Sequence, residues 1–160
     1  MKKIILVGPA CAGKSFIKNI LVRKGYVPDV SYTSRPKRDN EKDGADYHFV
    51  SEERFLSYVE DKHFYEHVKH GGHYYGTSLY HWNTAEVFIM EADGIGSIEP
   101  EDRKRCLVVF VTAPQTVRTT RMRDERGWDD ERIKARILVD ANKFEGFKDY
   151  DLVINSVDEM

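Results

Sequence analysis

A chain of 160 residues fits one domain, with room for a proper core and little for a second full-sized unit, which excludes large multidomain machines. Hydrophobic residues make up 41% and charged residues 32%, and 8 Phe, 9 Tyr and 2 Trp are more large anchors than a disordered segment carries. A net charge of -2 argues against wholesale electrostatic binding of nucleic acid or acidic lipid, so any anion site has to come from clustered charge.

No apolar run approaches a membrane span, and the stretch after Lys2-Lys3 is too short for a secretory signal. The expectation is a cytoplasmic protein, without membrane or nucleic-acid partners, in which Cys11 and Cys106 are free thiols. Ile4 to Val7 reads as a strand, and Gly8, Pro9 and Gly13 mark a loop. From Lys14 to Lys24 the spacing of Phe16, Ile17, Ile20 and Leu21 predicts a helix that stops at Gly25. The stretch from about Ser31 to Tyr80, rich in Tyr, His, Gly and charge, reads as an insertion packed on the core or hinged to it. Val87 to Met90, Leu107 to Thr112 and Leu152 to Ile154 are unbroken apolar runs, expected of strands covered on both faces in a parallel sheet. Asp129 to Phe144 reads as a helix with Ile133, Ile137, Ala141 and Phe144 on one face and Asp129 or Asp130 as cap. This alternation predicts an α/β layer fold. Half of the chain's arginines fall between Arg118 and Arg136, a plausible anion clamp in an otherwise neutral protein.

Gly8-Pro9-Ala10-Cys11-Ala12-Gly13-Lys14-Ser15 matches the phosphate-loop pattern G-x-x-x-x-G-K-[ST] and lies between a predicted strand and a predicted helix, the context that pattern requires. Its glycines let backbone N–H groups turn toward phosphate oxygens, and the helix adds its positive end. Lys14 then reaches the β and γ phosphates and Ser15 holds Mg²⁺ through its hydroxyl, which implies a nucleoside triphosphate with magnesium.

A phosphate loop alone does not separate kinases from GTPases, motors or helicases. The insertion does. Ser31 to Arg38, Gly44 to Phe49, Glu66 and Tyr74-Tyr75-Gly76-Thr77 closely resemble, in order and spacing, the monophosphate-binding region of guanylate kinases. With the phosphate loop, Glu91-Ala92-Asp93, Arg126-Gly127, Arg136 and Asn155, the resemblance runs over almost the whole chain. It implies a P-loop NTPase three-layer fold with a central parallel sheet. Residues 1–30, 81–117 and 133–160 would form the core, 31–80 the monophosphate-binding insertion and 118–132 a lid, all in one domain.

The activity implied is ATP-dependent phosphorylation of GMP or dGMP by a monomer or homodimer. Guanine carries donors at N1 and N2 and acceptors at O6 and N7. Glu66 and Asp93 are the acceptors that the resemblance suggests for the first edge, and Ser31 and Thr77 the hydroxyls for the base edge. Adenine would leave Glu66 unpaired. Arg35, Arg38, Tyr47 and Tyr75 resemble the residues that hold the monophosphate, and arginine forks suit that task better than lysines. By the same resemblance, Lys14, Arg126 and Arg136 are the candidate catalytic residues, Arg121 and Asn155 join the loop residues at ATP, and Glu91 is a second candidate for the metal.

His63, His67, His70 and His73 have spacings that a helix would bring together, but no cysteine pair supports zinc, so surface or hairpin histidines are expected. The chain departs from the family pattern in four places. Glu91 stands for Asp, Ser156 for Asp, the stretch from Gly76 to Glu91 is short, which implies a trimmed helix, and the chain stops at Met160 where a final helix usually follows. Two rivals remain at this point: a P-loop kinase for another monophosphate or a ribose phosphate, and a non-catalytic guanylate-kinase-like module, against which the intact Gly13-Lys14-Ser15 argues.

Overall fold

The β-branched run at the start of the chain forms the central strand of the main sheet, with Ile5, Leu6 and Val7 fully buried. The computed structural model describes residues 2–157. In chain order it has β1 (Lys3–Val7), α1 (Lys14–Arg23), β2 (Tyr32–Thr33), β3 (His48–Phe49), α2 (Glu52–Glu60), β4 (Phe64–His70) and β5 (His73–Ser78). There follow α3 (Leu79–Thr84), β6 (Val87–Ile89), α4 (Ala92–Gly96), α5 (Pro100–Arg103), β7 (Cys106–Thr112), α6 (Gln115–Asp124), α7 (Asp130–Phe144) and β8 (Leu152–Asn155).

The main sheet has the order β6-β1-β7-β8 and is parallel throughout, with Ile4 beside Val87, Ile5 beside Val108 and Val109 beside Leu152. On one face Ile17 of α1 packs against Leu6, Val87, Val109 and Val111. On the other, Trp82, Ile95 and the aromatic group Phe144, Phe147 and Tyr150 pack against Ile5, Phe88 and Val108. The expected three-layer α/β fold is therefore present. Pro28 also bridges Val87 in parallel, so the chain runs along the outer edge of β6 as it enters the insertion.

β8 departs from the expectation for its apolar run. It is an edge strand, and Leu152 and Val153 are 46% and 50% exposed, because what makes a strand buried on both faces is its place in the sheet and not its composition. α7 begins where expected, with the Asp129 carboxylate accepting from Arg132 N at 2.8 Å. Its buried face differs, since Ala141 is exposed and Asp140, at the i+7 position from Ile133, is buried at 3%. Met160, where the sequence reading ends the chain without a terminal helix, lies outside the described residues.

The insertion builds its own sheet, β3-β2-β5-β4, in which β2 pairs with β3 in parallel and the other neighbours are antiparallel. Ser51 caps α2 by accepting from Arg54 N, and the α2 residue Phe55 is fully buried, stacked on Phe64 at 4.6 Å and Tyr74 at 5.3 Å between ring centres. His67 and His70 lie on β4 and His73 on β5, so the helical spacing considered for a metal site is not realised. The short helix expected after Gly76 is α3, six residues capped by Ser78.

Candidate active site: a phosphate loop facing an arginine cleft

β1 delivers the chain into the loop Gly8 to Gly13, and α1 begins directly after it. Neither glycine of the loop leaves room for a side chain: a Cβ at Gly8 would lie 2.2 Å from the Val111 carbonyl oxygen, and Gly13, with φ of 108°, would bring one 2.6 Å from Cβ of Ser156. The first N–H groups of α1 have no intrahelical acceptor, which leaves them to an anion. Lys14 is half-buried with Nζ on the Gly8 carbonyl. Burial pushes its pKa below the ordinary lysine value, Glu91 counteracts, and Arg136 and Arg126 push the same way as burial. A small pocket of about 250 Å³ opens over the loop, lined among others by Cys11, Gly13, Lys14, Ser15, Arg121 and Arg126. Arg121 also donates to the Cys11 carbonyl at 2.9 Å. Ser156 lines this pocket. Asn155 is not among its walls and accepts from Val157 N at 3.1 Å.

Behind the loop, Asp140 accepts from Ala10 N at 3.0 Å and from Arg118 Nη2 at 2.8 Å, while Arg118 Nε donates to the Ala10 carbonyl at 2.9 Å. Arg118 is 8% exposed, so this first residue of the expected lid faces the underside of the phosphate loop and not the cleft.

In front of the loop lies a larger cleft of about 670 Å³, lined by Arg35, Arg38, Tyr75, Arg126, Arg132 and Arg136, with Trp128 and His70 in its walls. Arg126 lines both pockets. Its guanidinium lies 5.4 Å from the Trp128 ring centre and that of Arg132 lies 4.2 Å from it, so one indole holds two arginines at the rim. Arg35 forms a two-pronged pair with Glu41, both contacts 2.9 Å, and Glu41 also accepts from Arg38 N at 2.9 Å. Burial lowers the Arg38 pKa, and the like charges of Arg126 and Arg35 lower it further. Tyr47 stands 6.1 Å from Tyr75 between ring centres, and burial, then Tyr75, push its hydroxyl up to about 12.

Three base-edge candidates, Glu66 on β4, Thr77 on β5 and Asp93 on α4, sit where those elements meet, and Ser31 lies apart beside Asp29 and Tyr47. Thr77 donates to Glu66 Oε1 at 2.7 Å, and a Cβ at Gly94 would lie 2.7 Å from Glu66 Oε2, so the absence of a side chain there lets the core helix close on the carboxylate. Burial, with smaller contributions from Asp29 and Glu91, raises the Glu66 pKa to about 7 against the pull of Thr77. Asp93, one residue before Gly94 in the first turn of α4, is exposed. Ser31 donates to Asp29, a 5% exposed carboxylate that burial raises to about 6.

Glu91 lies near Lys143 Nζ, at 3.4 Å, and His70 Nδ1, at 3.8 Å. Burial alone would raise its pKa, but Lys14, His70, Lys143 and Arg136 outweigh that and hold it below the usual carboxylate value. Among the described residues no three His, Cys, Asp or Glu side chains converge on one point. The hydroxyl of Ser15 and the ionised Glu91 are hard oxygen donors of the kind a phosphate-bound Mg²⁺ accepts, so the residues present fit that ion.

Three site groups, Asp140, Glu41 and Asp29, and the burial of His70 are not evident from the sequence. Asp140 carried a signal, a carboxylate on an otherwise apolar helix face. Glu41 lies in a charge run with nothing to distinguish it, Asp29 is buried only once its segment pairs with Val87 at the edge of β6, and His70 meets Glu91 and Lys143 only in the fold.

The guanylate kinase family model matches residues 1–160. The chain belongs to the guanylate kinase family. The guanylate kinase of Alkalilimnicola ehrlichii is 32% identical over 158 residues, covering 94% of this chain and 78% of that protein. That of Lactobacillus acidophilus is 30% identical and covers 98% of this chain and 84% of its own length. A crystal structure of guanylate kinase from Anaplasma phagocytophilum superposes with a TM-score of 0.71 at 24% identity over 96% of this chain and 75% of that one, which supports the fold. No helix among the described residues is long and apolar enough to cross a membrane.

Proposed function

We propose that the protein transfers the γ-phosphoryl group of ATP to GMP or dGMP, as expected of a guanylate kinase. One observation carries this: a phosphate loop and an arginine cleft share Arg126 as a common wall, and the insertion adds a buried carboxylate paired with a hydroxyl at Glu66 and Thr77. Gly8, Pro9, Ala10, Cys11, Ala12, Gly13, Lys14 and Ser15 cradle the triphosphate, with Arg121 and Asn155 on the donor side. Arg35, Arg38, Tyr47 and Tyr75 hold the monophosphate. Glu66 and Asp93 accept from guanine N1 and N2, and Ser31 and Thr77 meet the rest of the base edge.

The nucleophile is a phosphate oxygen of GMP, already ionised near neutral pH, so no general base is needed. It forms a bond to the γ phosphorus as the bond to the bridging oxygen breaks and ADP leaves with that electron pair. The residues supply positioning and charge for a loose transition state. Lys14 meets the β and γ oxygens, and Arg126 and Arg136 close on the group in flight. Ser15 and Glu91 hold Mg²⁺, which when bound neutralises phosphate charge. The insertion 31–80 and the lid 118–132 exclude water. A cytoplasmic setting belongs to the same proposal and suits two free cysteines.

A coupled ADP-release assay with GMP, dGMP, AMP, UMP and CMP tests the reading. GMP or dGMP should exceed AMP in kcat/KM by roughly 100-fold or more, because adenine leaves the Glu66 carboxylate unpaired. Equal rates with all five, or none with any, would refute it.

A further inference from the structure

We propose that Asp140 is a positioning residue for phosphoryl transfer: it fixes the guanidinium plane of Arg136 while gripping the back of the phosphate loop, so that one carboxylate sets the distance between loop and arginine. The inference rests on the kinase reading above and concerns a residue to which neither the sequence motif nor the family resemblance gives a role. The geometry is specific. Asp140 Oδ1 accepts from Arg136 Nε at 3.2 Å, four residues back on α7, and Oδ2 accepts from Ala10 N at 3.0 Å and Arg118 Nη2 at 2.8 Å. The carboxylate is 3% exposed, and each of its two oxygens serves a different side of the site.

An arginine has five N–H donors in one plane. Tying Nε to a buried anion removes the rotation that would otherwise swing the fork, and it leaves the two terminal nitrogens free for phosphate. Arg136 lines the cleft, so those nitrogens act at its wall. The other half of the grip works on the main chain. Asp140 takes the N–H of Ala10 and Arg118 takes its carbonyl, which clamps that peptide from both ends. A carboxylate that only stabilised the fold would need the Arg118 and Ala10 contacts alone. The bond to Arg136 is the surplus that points to the reaction.

The test separates these two roles with three variants assayed for turnover with ATP and GMP. Asp140→Asn keeps an acceptor for Ala10 and loses the charge that holds Arg136. Arg118→Met removes the partner of Asp140 Oδ2 and the bond to the Ala10 carbonyl, and leaves the Asp140–Arg136 contact in place. The double variant Arg118→Met/Asp140→Asn leaves no unpaired buried arginine, and so covers the case in which Asp140→Asn alone fails to fold. The expected result is a kcat about tenfold or more below wild type in both variants that carry Asp140→Asn, with KM for GMP within about twofold. Arg118→Met, which loosens the loop but leaves the Asp140–Arg136 bond, should lower the melting temperature and reduce kcat clearly less than Asp140→Asn does. A cycle combining Asp140→Asn with Arg136→Lys should show non-additive losses, since both act through one guanidinium. Unchanged kcat in the Asp140→Asn variants, an equal loss in Arg118→Met, or additive losses in the cycle would each overturn the positioning role while wild-type activity leaves the kinase reading intact. A wild-type protein inactive with every monophosphate would instead overturn the reading and the proposal together.

Discussion

Glu66 is held in a state that suits its partner better than it suits the free protein. It is 8% exposed, accepts one hydrogen bond from Thr77, and lies near the carboxylates of Asp29 and Glu91. Burial raises its pKa from an ordinary 4.5 to about 7. Between those two values the native state keeps a proton that the unfolded chain releases, so stability falls as pH rises through that window and is flat on either side of it. The ionised form therefore costs the free protein on the order of 3 kcal/mol above pH 7. Asp29, raised to about 6, adds a slope of the same sign at lower pH. Glu66→Gln should flatten the fall in melting temperature between pH 5 and 7 and melt above wild type at pH 8, while its preference for GMP over AMP weakens. Parallel pH profiles of melting temperature for the two proteins would show that the charge is not stored there.

At the level of elements, α7 does more than its apolar periodicity announces. Along one helix Asp129 caps the start, Ile133 enters the core, Arg136 lines the cleft, Asp140 grips the phosphate loop and Lys143 reaches Glu91. The contact of α4 with β4 is equally close, and it gives a sharper test. A methyl at Gly94 would sit 2.7 Å from Glu66 Oε2 and must displace that carboxylate, because Glu66 is buried. Gly94→Ala should raise KM for GMP several-fold, leave KM for ATP nearly unchanged and lower the melting temperature by about a few degrees. Equal effects on both substrates would place the damage elsewhere. These two elements also show what was legible beforehand. The strands β1, β6 and β7 and the helix α1 could be read from local pattern, because unbroken β-branched runs and a repeating apolar stripe are properties of a short segment. The exposure of β8, the carboxylate on the buried face of α7, the meeting of Glu66 with Gly94 and the pairing of Arg35 with Glu41 could not. Each depends on which distant segment lands opposite, and a charged residue's local sequence says nothing about its partner.

The whole molecule is two sheets joined along one side, with the insertion facing α7 and the segment before it across a cationic gap. On the joined side Tyr65 stacks on Trp82 at 3.9 Å and donates to Asp102 at 2.6 Å, so the insertion is anchored to the core. On the open side Arg38 of the insertion lies near Arg126, whose like charge adds to burial in disfavouring the charged form of Arg38. Arg35 has Glu41 to balance it, but Arg126 and Arg132 share only the face of an indole. Net charge near zero thus conceals a local excess of positive charge that resists closing until phosphate enters. ATP and GMP both bring the missing anions, and ordering them between the walls turns repulsion into a bridge. Saturating ATP analogue plus GMP should therefore lower the radius of gyration measured by solution scattering, with GMP alone giving a smaller change because the donor side stays unfilled. Added salt should weaken GMP binding, since raising the ionic strength shortens the Debye length below its physiological value of about 8 Å and screens the cleft's positive charge. A radius of gyration indifferent to both nucleotides would mean that the gap is already closed in the free protein, and that the arginines are held together by the indole and by Glu41 without help from phosphate.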